Sequence, residues 1–75
     1  MTDMPAEARI VWTMVCSQIR LICSGRRSFA LRIRNMEGTA QRNFRIAMRR
    51  GDPLTDCYCA ALLAAEKEMY RNDRD

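Results

Sequence analysis

The sequence predicts an all-α fold: a small bundle of three to four helices, with long first and last helices flanking one or two shorter, arginine-rich ones. Two observations carry this. Apolar residues recur at three- and four-residue spacing along most of the chain, the period of a helix with one buried face. Pro5, Gly25, Gly38, Gly51 and Pro53 stand singly where those patterns begin or end, as helix starts and stops do. A chain of 75 residues is close to the smallest that a single apolar core can hold. Residues 1–75 are therefore expected to form one helical domain with frayed ends at 1–3 and 72–75, and spare apolar surface would point to oligomerisation.

In the first helix, Asp3 or Thr2 can serve as cap, Pro5 and Glu7 fall in the opening turn, and Gly25 is a natural stop. Ala8, Val11, Val15, Ile19 and Ile22 share a face, with Trp12 and Cys23 beside them. A second apolar row, Ile10, Met14 and Leu21, lies opposite. A helix apolar on two sides is either central in its domain or half of an interface, and so short a chain favours a homodimer. The apolar run from Ile10 to Cys23 falls below the roughly 20 residues that cross a bilayer, and Gln18 and Arg20 interrupt it, so no membrane association is expected. An acidic start without a basic region or small-residue cleavage site suggests a cytoplasmic protein, in which the cysteines stay thiols.

Residues 26–38 read two ways. A helix capped by Ser28 aligns Phe29, Ile33 and Met36; a strand over 29–34 places Phe29, Leu31 and Ile33 on one face and Arg32 and Arg34 on the other. The Ala, Leu, Arg, Met and Glu content leans helical. Thr39 then caps a helix to Arg50, ended by Gly51, with Ala40, Phe44, Ala47 and Met48 as its apolar stripe. Asp52-Pro53 signals the last helix, whose inner face holds Leu54, Tyr58, Ala61, Leu62, Ala65 and Met69. Cys59, Leu63 and Tyr70 form a thinner apolar row behind it.

Charge is divided unevenly. Residues 20–50 hold nine arginines against one acid, Glu37, whereas the rest of the chain has eight acids against four bases. Twelve of the thirteen basic residues are arginine. Codon bias can produce that ratio but accounts less well for the clustering, and guanidinium is the better fork for phosphate or carboxylate. Arg42, Arg45 and Arg49 form a row opposite the apolar stripe of their helix, which suits binding of a DNA or RNA phosphate backbone or of an acidic protein surface. Arg26, Arg27, Arg32, Arg34 and Arg50 would support it. Ile10, Met14, Leu21, Leu63 and Tyr70 are the candidate oligomer or partner interface.

Other chemistry finds little footing. The chain has no histidine to act as a base near neutral pH. Cys57 and Cys59 on a helix point to nearly opposite sides, a poor start for a metal site, and the isolated glycines make no phosphate loop. Neither catalysis, a cofactor, a metal nor a small-molecule substrate is expected. All the aromatic residues except Tyr70 fall on core-facing stripes, which argues against stacking on unpaired bases. The expected function is that of a small regulatory nucleic-acid-binding protein. The rival is an interaction module of the kind phages or mobile elements make, which inhibits or redirects a host protein.

Two motifs bear on the DNA reading. Ala47 to Gly51 has the small-residue-to-glycine spacing that resembles a helix-turn-helix, though Pro53 follows the turn and Arg50 and Asp52 stand where that motif packs apolar residues. Phe29-Ala-Leu-Arg-Ile-Arg34 is similar to the strand of ribbon-helix-helix repressors, and Gly51 to Cys57 resembles the turn between their helices. That resemblance implies a dimer in which Arg32 and Arg34 face the major groove. It is the alternative fold, with a short strand at 29–34.

Overall fold

The computed structural model describes residues 4–23 and 30–73, which form three helices: α1 (Ala6–Ile22), α2 (Ala30–Arg49) and α3 (Leu54–Asp73). Two of the three begin at a proline. Pro5 occupies the N-cap of α1 without a side-chain cap bond, and its carbonyl accepts from the Arg9 N–H at 3.0 Å. Pro53 stands in the same place before α3, its carbonyl accepting from the Cys57 N–H at 3.0 Å. Pro53 thus lies one step before the first helical position expected of it, and Pro5 just before the opening turn rather than within it. One carboxylate oxygen of Asp52, just before α3, accepts from Arg50 at 2.7 Å. Thr2, Asp3, Gly25, Ser28 and Phe29 lie outside the described residues.

The main correction concerns the middle. The two elements expected across residues 26–50 are one helix from Ala30 to Arg49, and residues 30–34 are helical rather than a strand. At 20 residues α2 equals α3 and exceeds the 17 of α1, so the middle helix is not the shorter partner. Gly38 and Thr39 do not end one helix and start another. A glycine inside a helix costs only about 1 kcal/mol, and what continues across it is an unbroken buried stripe: Met36, Ala40, Phe44 and Ala47. Breaking the helix would forfeit backbone hydrogen bonds and the burial of Met36, and restarting it would incur a new nucleation cost. Thr39 instead accepts the Asn43 side-chain amide at its carbonyl, 2.9 Å away, and directs its hydroxyl to Glu68 of α3 at 3.5 Å.

α2 and α3 form an antiparallel hairpin with the largest interface in the fold, and α1 packs across both. The turn between them is built by Gly51. Its φ of +83° lets the Asp52 N–H reach the Ala47 carbonyl at 3.1 Å and its own N–H reach Met48 at 3.0 Å, the paired bonds of a Schellman ending. Alanine makes much of the core: Ala8, Ala40, Ala47, Ala61 and Ala65 are all buried, and such small side chains let helix backbones approach closely. Phe44 is the largest fully buried side chain among the described residues and meets Trp12 of α1 with ring centroids 5.6 Å apart and a 53° tilt, a favoured aromatic geometry. Val15, Ile19, Cys23 and Cys57 complete the buried set, with Val11, Trp12, Ile33, Met48, Leu54, Tyr58, Leu62 and Met69 packed half-buried around it.

At the ends, Ile22, placed by its spacing on the inner face of α1, is 38% exposed, and α3 runs to Asp73.

Candidate nucleic-acid interface

The outer face of α2 runs along the helix from Arg34 to Arg49. Arg34, Gly38, Arg42, Arg45 and Arg49 follow one another at intervals of four or three residues, which stacks them on one side. The opposite side is the Met36–Ala47 stripe buried against α1 and α3. Arg34, Arg42 and Arg49 are exposed, and Arg45 is half-buried with its Nε withdrawn from solvent and unbonded. The helix being continuous brings Arg34 onto the face that carries Arg42 and Arg49. The sequence row of Arg42, Arg45 and Arg49 therefore becomes an exposed trio of Arg34, Arg42 and Arg49, with the half-buried Arg45 on the same face.

The remaining arginines are elsewhere. Arg50 hydrogen-bonds and pairs with Asp52 at 2.7 Å, and that bond holds its guanidinium above its usual pKa. Arg32 is half-buried and engaged with a neighbour. Arg26 and Arg27 lie outside the described residues. Glu37 is the only acid on α2 before its end, and it lies 3.5 Å from Arg20 of α1. Among the described residues Glu37 pairs with Arg20 and with none of the trio.

A shallow depression opens at the middle of this face, lined by Arg34, Asn35, Gly38, Thr39, Arg42 and Glu68. Asn35, Gly38 and Thr39 were not among the expected site residues. The Arg34-x3-Gly38-x3-Arg42 spacing would have revealed them had residues 30–49 been read as one helix.

The apolar rows are placed as their spacing suggests. Ile10, Met14 and Leu21 stand 63, 50 and 65% exposed on the outer face of α1. Leu63 and Tyr70 stand 57 and 63% exposed on that of α3, where Cys59 is exposed as well. Ile46 of α2 is exposed too, which the sequence reading did not anticipate. Cys57 and Cys59 do point apart, one buried and one exposed. Among the described residues no three His, Cys, Asp or Glu side chains come together as metal ligands, and no helix is long and apolar enough to cross a membrane. A scan against family models finds no match, and searches of curated proteins and of solved structures find none either.

Proposed function

We propose that this is a small, non-enzymatic regulatory protein of the cytoplasm that binds nucleic acid through the outer face of α2. The observation that carries the reading is the exposed trio of Arg34, Arg42 and Arg49 on one helix face, unpaired with any carboxylate among the described residues. Guanidinium groups held on a rigid helix neutralise phosphates and release counterions, a sequence-independent source of affinity. They would position the protein on a duplex, and no side chain stands out as a base reader. Phe44 is buried and Trp12 and Tyr58 pack against the core, so stacking on unpaired bases has little to work with and the double-stranded backbone is the favoured target.

The test is a mobility shift with random-sequence duplex DNA across a salt series. Binding that weakens steeply with salt is expected, and absence of binding at low salt rules the reading out.

The exposed rows of α1 and α3 favour a companion reading, in which apolar contact is part of the function. A homodimer through Ile10, Met14 and Leu21 is compatible with DNA binding and common among small regulators. A partner protein with an acidic patch would make the chain an interaction module of the phage or mobile-element type, which inhibits or redirects a host protein. A pull-down from nuclease-treated lysate separates the two: a stoichiometric protein partner that competes with DNA supports the module.

A further inference from the structure

We infer that the depression over Gly38 is a seat for one backbone phosphate of a DNA duplex, held between Arg34 and Arg42; this rests on the nucleic-acid reading and specifies where on α2 the duplex lies.

Gly38 is exposed in the middle of a 20-residue helix, a position where glycine is the poorest helix former short of proline. Nothing in the local geometry requires it there. Its φ is not positive, and a Cβ built on it would meet no atom within 4 Å. Packing therefore does not explain the glycine, and what it supplies is room: a group from outside can approach the backbone of α2 where any other residue would cover it.

The walls of that room have the chemistry of an anion seat. Arg34 and Arg42 lie one turn to either side on the same face, about 12 Å apart along the axis. Side chains on a helix lean toward its N-terminus, so Arg42 leans back over the glycine turn; Arg34, which the same rule leans away, still lines the depression. Asn35 adds a neutral amide donor on the rim. On the α3 side the rim is Glu68, to which the Thr39 hydroxyl points at 3.5 Å. Its carboxylate repels an anion from that side and confines a phosphate to the line from Arg34 to Arg42. A carboxylate would suffer the same repulsion and offers a guanidinium fork two oxygens as well; what favours a phosphodiester is that a duplex carries further phosphates for the exposed Arg49 on the same face.

The experiment uses fluorescein-labelled random duplex DNA, with affinity read by anisotropy from low to physiological salt, on the full chain and on Gly38→Leu, Gly38→Ala and Glu68→Gln. Gly38→Leu fills the seat without touching a charge. It should weaken binding several-fold and reduce the slope of log affinity against log salt by about 0.9, the contribution of one phosphate. Gly38→Ala, whose single methyl covers the backbone only in part, should weaken binding by less than Gly38→Leu does. Glu68→Gln should bind more tightly. Circular dichroism keeps folding in view, since Leu and Ala both favour the helix over Gly. A folded Gly38→Leu protein with unchanged affinity and slope overturns the seat while the broader reading stands. No binding by the parent chain overturns both. Labelled duplex RNA of the same length is a second arm: RNA binding that is lost in Gly38→Leu while DNA binding is not would overturn the assignment to DNA.

Discussion

The outer faces of α1 and α2 make opposite demands on whatever meets them. Both helices bury one stripe in the same core and turn the other side to solvent, but α1 presents Ile10, Met14 and Leu21 where α2 presents Arg34, Arg42 and Arg49. An apolar row gains about 25 cal/mol for each Å² taken from water, from almost any dry surface, and salt hardly weakens that gain. A row of like charges gains only from opposite charge and is screened beyond about 8 Å at physiological ionic strength. Two surfaces of one small domain can therefore be distinguished by salt alone, and each can be disabled without touching the other.

The largest effect should follow from erasing the charged row. Replacing Arg34, Arg42 and Arg49 together by Ala is expected to lower DNA affinity at low salt by roughly a hundredfold or more and to reduce the salt slope by about 2.7, three phosphates' worth. The unfolding midpoint in urea should hardly move, because exposed substitutions away from special contacts fall within about 0.5 kcal/mol each. Loss of folding in this variant would make the row structural and collapse the contrast with α1.

Erasing the apolar row is the complementary test. Met14→Asp and Leu21→Asp together should leave DNA phosphate contacts in place yet convert a self-associating protein to monomer in sedimentation velocity. The parent's association should persist or strengthen as salt rises, the opposite of its DNA binding. Identical sedimentation of parent and variant would remove the homodimer from the α1 face and leave that face to another partner.

How these faces could be read in advance differs between the helices. α1 and α3 were legible because their apolar periodicity is long and their ends are marked by proline. The outer rows followed from the same spacing, Ile10, Met14 and Leu21 on one and Leu63 and Tyr70 on the other. α2 was misread at Gly38-Thr39, where a helix stop is followed by a good cap. Those local preferences are worth about 1 kcal/mol each, and a tertiary stripe that continues through them outweighs both. The error passed directly into the site: a broken helix separates Arg34 from Arg42, and a continuous one stacks them around Gly38. Arg45 shows the reverse failure. Periodicity put it level with Arg42 and Arg49, and it does lie on their face, yet it is half-buried with its Nε out of solvent, which spacing alone does not reveal.

Two glycines sharpen the contrast between what the fold needs and what the surface uses. Gly51 has φ +83° at the end of α2, a conformation an L side chain reaches only with strain, so Gly51→Ala should destabilise by about 1 kcal/mol. Gly38 has neither strain nor crowding, so Gly38→Ala should stabilise by about 0.5–1 kcal/mol. Urea unfolding of the two variants should therefore move in opposite directions. Stabilisation by the Gly51 change, or destabilisation by that at Gly38, would reverse the assignment of one glycine to folding and the other to the outer face.

The smallest effect concerns the thiols that lie inside those faces. Burial pushes the Cys57 thiol above the ordinary range, with the nearby carboxylates of Asp52 and Asp56 adding to it; burial and then Glu37 do the same to Cys16, against Arg20. A thiol whose folded pKa is raised holds its proton after the unfolded chain has released it. Its contribution to stability is complete below the unfolded thiol range of about 8.5 to 9 and is lost as pH climbs through the folded values. The urea midpoint should accordingly fall between pH 8 and pH 10, and fall less in Cys57→Ala measured against its own value at pH 8. Cys59, two residues along and exposed on the outer side of α3, supplies the control: it should react with a thiol reagent in the folded protein while Cys57, whose Sγ lies 3.7 Å from the Asp52 carbonyl, reacts only on unfolding. Equal rates at the two positions would mean that the turn between α2 and α3 opens readily, and with it the rigid end of the arginine face.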